Sequence, residues 1–302
     1  MRISTNQMVQ DTTANIQAAM DQVQNGTLQL STGQSVNQPS DNPLAAGQIV
    51  DLNSEIEQDS GYTTAAQSGD AQLSLSASVL GQVQTLLNTA QTAAEQGLNS
   101  ATESQSDLTA LAGTVDGVLQ QALSLANTQS NGSSLFAGYQ TQAPAFSAVS
   151  SGGQITAVNY QGDNGVNSAQ VGSATAVAVN LPGDSVFDAS GSSVFQSLIV
   201  VRNALQTGDQ SSLSSGLTQL QSAMQTVTGA QAKAGALDQT LQNQETTLAS
   251  LKSGQTASLS QYQDANMASA ATNYQQAINT YEAGIQAAAL VAQLPSIVNY
   301  ML

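Results

Sequence analysis

Two repeating patterns of packable residues, one at each end of the chain, most constrain what the sequence can fold into. In the C-terminal arm the spacing alternates between four and three residues, at Met267, Ala271, Tyr274, Ile278, Tyr281, Ile285, Ala288 and Ala292. In the N-terminal arm the same alternation joins Val9, Thr13, Ile16, Met20, Val23, Thr27 and Leu30. Such spacing is typical of a coiled-coil seam, which is narrower than the apolar face of a surface helix. We therefore predict two long helical arms that pack on each other.

These seams have two interpretations. A helical bundle would bury them within one chain, whereas an assembly would bury them between subunits. Each arm has one apolar stripe and weak helix propensity with a glycine interruption, and such helices gain most of their stability from packing. We favour burial between subunits. The residues predicted for this subunit-assembly seam are Val9, Ile16, Met20, Val23, Leu30, Tyr274, Ile278, Tyr281, Ile285 and Ala288.

The residue types that the chain lacks exclude most catalytic chemistry. Its 302 residues include no Cys, His or Trp, which removes thiol nucleophiles, histidine zinc sites and the commonest general base. The formal net charge of -16 opposes binding to nucleic acid and to anionic membranes. Asp163 and Asp184 lie in turn sequences, and we interpret them as turn residues rather than calcium ligands. We predict a protein that is not an enzyme, with no cofactor, no metal and no membrane insertion.

Between the arms, helical stripes flank one segment of different character. Residues 43–133 and 196–260 have helical periodicity, and we predict that they form the two halves of a helical rod domain. Residues 134–195 contain all four Phe and are richer in Gly and β-branched residues, which predicts an inserted antiparallel β domain. With arms over 1–42 and 261–302, the predicted fold class is mainly α, with long coiled-coil arms, a helical bundle and a small inserted β domain.

Local signals refine this arrangement. The candidate strands of the β domain are residues 155–160 and 176–181. The turn sequence at residues 131–132 predicts the end of the helix that precedes the β domain. The apolar stripe slips at residues 229–235, which predicts a change of register within the second half of the rod.

A dense break between the first arm and the rod carries the most specific motif. It runs from Leu30 to Pro43, where Gly33 is placed to end one helix and Asn42 to cap the next. Further motifs are Phe136-Ala137-Gly138-Tyr139, Tyr160-Gln161-Gly162-Asp163 and Leu181-Pro182-Gly183-Asp184. In their order and spacing these motifs resemble the bacterial flagellin family over essentially the whole chain. The residues of the N-terminal motif are Ser31, Gly33, Asn37, Pro39, Ser40, Asp41 and Pro43.

The resemblance implies both an architecture and a function. The arms would form an inner coiled-coil domain, and the β domain would face outward. The Pro-Ser-Asp form of the motif is similar to that of the family members at the junction of hook and filament, which implies a structural adaptor ring on the extracellular flagellum. Implied partners are copies of the chain, a neighbouring hook-associated protein, flagellin and a cytosolic export chaperone.

The start of the chain agrees with that implication. No apolar signal-peptide core follows Met1, so we expect no cleaved signal peptide, and the family is exported through the flagellar type III channel. The alternatives are a filament flagellin or, more remotely, a helical surface adhesin with a ligand-binding β domain.

Overall fold

The computed structural model describes residues 2–99, 104–188 and 193–293, and it is mainly helical. The helices are α1 (Arg2–Thr32), α2 (Pro43–Leu98), α3 (Gln105–Ala126), α4 (Gly183–Phe187), α5 (Val194–Thr207), α6 (Gln210–Gln263) and α7 (Met267–Gln293). The strands are β1 (Gln129–Ser130), β2 (Ser133–Ser134), β3 (Phe146–Ser151), β4 (Gln154–Tyr160), β5 (Ser168–Gly172) and β6 (Thr175–Ala178). This confirms the prediction of a mainly α fold with small antiparallel sheets.

The chain divides into two compact units. The rod unit is Asp59–Ser250, and the arm unit combines Met1–Gln58 with Leu251–Leu302. The division lies within α2 and α6, whereas the predicted boundaries of the arms lay at residues 42 and 261.

Within the rod unit, α2 and α6 each bury a regular seam. On α2 the seam consists of Ala66, Gly69, Leu73, Ser76, Leu80, Val83, Leu87, Ala90, Ala94 and Gly97. On α6 it consists of Leu213, Gly216, Leu220, Ala223, Val227, Ala234, Leu241 and Leu248. These positions are three, four or seven residues apart, so the predicted change of register at residues 229–235 is wrong. The large residues Leu217 and Met224 lie on the flank of the seam, whereas the small residues Gly216 and Ala223 lie at its centre.

Side-chain hydrogen bonds show that α2 and α6 are antiparallel. Gln242 Nε2 donates to Asp70 Oδ1 at 3.2 Å, and Thr228 Oγ1 donates to Gln84 Oε1 at 3.4 Å. Successive contacts therefore run forward along one helix and backward along the other. Such antiparallel packing buries long apolar stripes with little loop.

The strands form three antiparallel hairpins. In the first, β1–β2, the turn is Asn131-Gly132, where φ is 52° and 79°. These positive φ values are those of a tight hairpin turn, so the helix predicted to end at residues 131–132 ends earlier, at Ala126. The strand predicted at 155–160 is confirmed by β4, which pairs with β3.

The strand predicted at residues 176–181 is shorter in the structure, because β6 ends at Ala178. Beyond it, the Val179 N–H still donates to the Asn167 carbonyl at 2.9 Å, and the side chain of Asn180 then makes the next contacts. Its Oδ1 accepts from the Asn167 backbone N–H at 2.8 Å, and its Nδ2 donates to the Gly165 carbonyl at 3.0 Å.

The four Phe residues join the hairpins to the helices of the rod unit. Phe136, Phe146, Phe187 and Phe195 are buried, and the contacting rings have centroids 5.1 to 5.8 Å apart. They belong to the same buried cluster as Val115 on α3 and Leu198 on α5. The β segment therefore shares one core with the helices.

Three of the sequence motifs meet at one place beside this core. Asp163 Oδ1 accepts from the Tyr139 backbone N–H at 2.7 Å, and Tyr160 Oη contacts the Asp163 carbonyl at 2.7 Å. The Gly183 N–H donates to the Phe136 carbonyl at 2.7 Å. The backbone N–H groups of Tyr139 and Gly165 hold the pKa of Asp163 below its usual value, so its carboxylate is a turn-stabilising acceptor.

Arg202 is a buried anchor that the sequence pattern did not indicate. It lies on α5 with 1% exposure, and its Nη1 donates to Asp116 Oδ1 at 2.9 Å and to the Ile155 carbonyl at 2.8 Å. Its Nε and Nη2 donate to Asn203 Oδ1. One guanidinium therefore ties α3 and β4 to α5, and its hydrogen bonds offset the cost of burying the charge.

We expect Arg202→Met to destabilise the rod unit by about 3 kcal/mol, because it leaves Asp116 and the Ile155 carbonyl without their buried donor. Urea unfolding followed by circular dichroism measures this loss. Lys233→Met is the control, since Lys233 is exposed on α6. Equal stability of the two variants would contradict the anchoring role.

We expect Gly138→Ala to cost about 3 kcal/mol of folding free energy. Gly138 has φ +65°, and a Cβ there would lie 2.2 Å from the Asp163 carbonyl oxygen. Gly152→Ala is the matched control, since φ is +61° and nothing lies within 4 Å of the added Cβ. The control should lose only about 1 kcal/mol, from backbone strain alone. Thermal unfolding compares the two, and equal losses would refute the steric explanation.

Candidate assembly interface

The two terminal helices, α1 and α7, pack on each other in the arm unit. A Cβ added at Gly26 would lie 3.0 Å from Tyr274 Cδ2, and one added at Gly284 would lie 3.1 Å from Ile16 Cγ1. These two contacts show that the helices are antiparallel. At each of these places a side chain of one helix lies close against a glycine of the other.

The centre of this contact is made of small residues. Ala19 and Gly26 on α1 are buried, as are Ala270 and Ala277 on α7. These positions lie one residue before Met20, Thr27, Ala271 and Ile278 of the predicted seams. Small residues let two helix backbones come close, and the large residues beside them remain at the edge of the contact.

The predicted seam residues divide between this contact and the surface. Val9, Met20 and Ile285 are exposed, at 46%, 43% and 45%. The half-buried members are Ile16, Val23, Leu30, Tyr274, Ile278, Tyr281 and Ala288. Of the other spaced residues, Thr13, Thr27, Met267 and Ala271 are exposed, and the side chain of Ala292 lies outside the described residues.

The described part of the arm unit exposes more large apolar side chains than the described part of the rod unit does. Besides Val9, Met20 and Ile285, the exposed residues are Met8, Leu28, Leu44, Val50, Leu251, Tyr262, Met267 and Leu290. In the described part of the rod unit they are Tyr139, Val149 and Val166. A surface with many large apolar residues is typical of a protein–protein contact.

A joint in the arm unit connects α1–α2 to α6–α7. Gly33 ends α1 with φ +73°, as predicted, and its N–H donates to the Gln29 carbonyl at 2.9 Å. The Ser35 N–H donates to the Gln263 carbonyl at 2.7 Å, and the Ala265 N–H donates to the Gly33 carbonyl at 2.8 Å. These two backbone bonds tie the two helix breaks together.

The N-terminal motif builds this joint. Asp41 Oδ2 accepts from the backbone N–H groups of Asn37 and Gln38 at 3.0 and 2.9 Å. Asn42 Oδ1 accepts from the Ala45 N–H at 3.1 Å and so caps α2, with Pro43 at the first helical position as predicted.

The remaining motif residues also lie at or beside the joint. Asn37 Nδ2 donates to the Gln34 carbonyl at 3.0 Å, and Ser31 Oγ donates to the Leu28 carbonyl at 3.1 Å. Pro39 and Ser40 are exposed in the turn.

The described residues contain no group of three or more acidic side chains placed to hold a metal ion. Within the same part of the chain, no helix is long and apolar enough to cross a membrane. The side chains of the joint and the arms hydrogen-bond mainly to nearby backbone, which is the role of structural caps and turns.

Comparison with known proteins finds similarity to proteins of the bacterial flagellum. Residues 3–141 match the bacterial flagellin N-terminal helical region. The chain is 35% identical over 189 residues to flagellar hook-associated protein 3 of Salmonella typhimurium, a match that covers 62% of this chain and 57% of the relative. The same protein of Escherichia coli gives the same identity and coverage. The chain thus spans just over half the length of the curated relatives that it matches.

Solved structures share the fold. Hook-associated protein 3 of Legionella pneumophila matches with a TM-score of 0.62 at 17% identity, over 70% of this chain and 97% of that chain. FlgL of Bacillus cereus matches with a TM-score of 0.59 at 20% identity, over 70% of this chain and 99% of that chain.

The glycine contact between the arms makes a testable prediction. We expect Gly26→Val to separate α1 from α7, because a Cβ at Gly26 already lies 3.2 Å from Tyr274 Cβ. Gly47→Val on α2 is the control, since nothing lies within 4 Å of a Cβ there. Compared with the control, Gly26→Val should lower the free energy of opening of α1 and α7 by a further amount of about 3 kcal/mol. Hydrogen exchange of the α1 and α7 amides measures this free energy. Equal protection in the two variants would show that the close approach is unimportant.

The sequence and fold comparisons agree with the motifs that form the joint. The match over residues 3–141 contains α1, the joint and α2, and the matched structures share the helical architecture. Residues 3–141 are therefore similar to the bacterial flagellin N-terminal helical region, and the chain has the fold of the hook-associated protein 3 structures.

Proposed function

We propose that the chain is a structural subunit of the bacterial flagellum, in an adaptor ring that joins the hook to the flagellin filament. The observation that carries this proposal is the exposed apolar surface of the arm unit, in a chain similar to flagellar hook-associated protein 3. The role is one of assembly rather than catalysis. The arms form the inner domain of the ring, and the β segment faces outward.

The surface chemistry of the arms supports contact between copies. Over α7, Glu282 is the sole charged residue, and α1 carries Arg2, Asp11 and Asp21. Few charges on a surface mean little desolvation cost and little repulsion when copies pack side by side. The exposed Val9, Met20 and Ile285 then pack against neighbouring arms, which extends the α1–α7 contact into a larger bundle.

The position in the ring implies further partners. We propose contacts with a neighbouring hook-associated protein on one side and with flagellin on the other. Before assembly, a cytosolic chaperone covers the apolar arms, and export through the flagellar type III channel uses the N-terminal segment. The assembled protein is extracellular.

Labelling of intact flagella tests the location. An antibody to residues 134–195, detected by immunogold, should give a single spot where hook meets filament. Label along the whole filament would identify a flagellin instead, and absence of flagellar label would favour an independent binding role for the β segment.

A charge placed on the exposed arm tests the mode of assembly. We expect Ile285→Asp to block incorporation into flagella while the monomer keeps its helix content, because Ile285 is 45% exposed in one chain. Gln286→Asp is the control, because it places the same charge at the next exposed position of α7. Motility and incorporation are the readouts. Loss of helix in the Ile285→Asp monomer would show that this side chain belongs to the core of one chain.

A further inference from the structure

Two carboxylates meet across the α2–α6 contact of the rod unit. Asp238 on α6 lies within hydrogen-bonding reach of Asp70 on α2. Gln242 Nε2 lies 3.2 Å from Asp70 Oδ1 and 3.2 Å from Asp238 Oδ2, so one amide group donates to both. Asp238 Oδ1 is buried and accepts no hydrogen bond among the described residues. An acceptor buried without a donor is costly, and the neighbouring carboxylate has no hydrogen to offer when it is ionised.

The pair lies beside an apolar cluster, and no positive charge is close to it along α6. Leu241, three residues after Asp238, belongs to a buried cluster with Ala66, Leu73, Val171, Val177 and Val179, and the partly buried Leu237 packs against this cluster. Glu245 on α6 adds a further negative charge, and its Oε1 is also buried without a donor among the described residues. The nearest lysine along α6 is the exposed Lys233, five residues away.

The charged groups that act on Asp238 are therefore all acidic. They are Asp70 from α2 and Glu245 from its own helix. The β5–β6 hairpin that packs beside them, residues 168–178, has no titratable side chain. Nothing in this set favours two ionised carboxylates side by side.

We propose that Asp70 and Asp238 share one proton in mildly acidic solution, and that this proton strengthens the α2–α6 contact of the rod unit. A proton taken from solvent by one carboxylate forms an O–H group that donates to the other. The pair then carries one negative charge instead of two, and the missing donor is supplied. The inference concerns the rod alone and does not depend on the flagellar role.

The direction of titration supports the proposal. The hydrogen bond with Asp70, burial, and the charges of Asp70 and Glu245 raise the pKa of Asp238 from 3.8 to about 6. In the unfolded chain an aspartate has its ordinary pKa of about 3.9. Between these values the folded state holds more protons, so the stabilisation is complete below pH about 4 and is lost as pH rises through about 6.

Carboxyl groups whose pKa is lowered affect the stability of the fold in a different range of pH. Hydrogen bonds from Ser212 and Ser211 lower the pKa of Asp209 to about 2. Hydrogen bonds from Ser104 lower the pKa of Asp107. These caps stabilise the fold above their unfolded pKa and are lost only in more acidic solution. The interval from pH about 4 to 6.5 therefore isolates the Asp70–Asp238 pair from them.

Thermal unfolding of the intact chain with Asp238→Asn tests the proposal. The asparagine amide donates to Asp70 and has no charge, so it imitates the protonated state at every pH. At pH 7 we expect the variant to melt about 3 °C above the original chain, and at pH 4.5 we expect that advantage to vanish. Glu95→Gln is the control, because Glu95 is exposed on α2 and its loss also removes one negative charge.

The outcome that would overturn the proposal is a Tm difference that is the same at both pH values, or a lower Tm for the variant at pH 7. Asp70→Asn should reproduce the pH pattern, since either amide can supply the donor. A ¹³C NMR titration of the Asp238 carboxyl in the original chain measures its protonation directly. A midpoint near 6 is expected, and a midpoint below 4 would refute the shared proton.

Discussion

Close packing against glycine and other small side chains on the helices is the interaction on which the rest of the structure depends. In the rod unit a Cβ on Gly69 would lie 2.5 Å from Val179 Cγ1, and one on Gly97 would lie 2.4 Å from Leu205 Cδ2. At such distances glycine alone fits without movement of its neighbours. Because charged residues make up only 8% of the chain, ion pairs contribute little, and tight apolar packing is left to hold the long helices together.

The β hairpins depend on that helical frame. A two-stranded hairpin is marginal in water, and the described strands pair only in twos. The hairpins gain stability from the buried Phe rings and from Arg202, whose guanidinium binds the carbonyl of Ile155 on β4. Asp163 adds a second polar anchor through the backbone of Tyr139. The segment is thus part of the rod core, although its composition differs from that of the helices.

The arms also pack at small residues, but they bury fewer apolar side chains than the rod unit does. The two helices of the arms bury residues only at the one interface between them, whereas the core of the rod unit also includes α3, α5 and the hairpins. Large side chains such as Met20 and Ile285 therefore remain on the surface of the arm unit. A helix pair with an incomplete apolar surface gains stability when copies associate, which links the weak intrinsic stability of the arms to a role in assembly.

Periodicity and local turn chemistry were enough to predict the helical arms, the end of α1 at Gly33, the start of α2 at Pro43, and strand β4, because each depends on residues close in sequence. The same reasoning was wrong at residues 131–132, where the Asn-Gly signal for a hairpin was taken for the end of a helix.

The sequence by itself determined which segments are helical and where the first arm ends, because these properties follow from local propensity. Only the tertiary structure decided which of two adjacent residues faces the partner helix, such as Ala19 rather than Met20, since backbone approach favours small residues over apolar ones. It also decided the partners of Arg202 and Asp70. Arg202 and Asp116 are 86 residues apart, and Asp70 and Gln242 are 172 residues apart. Contacts over such distances leave no periodic signal, because they arise from packing of whole elements rather than from the backbone preferences of neighbouring residues.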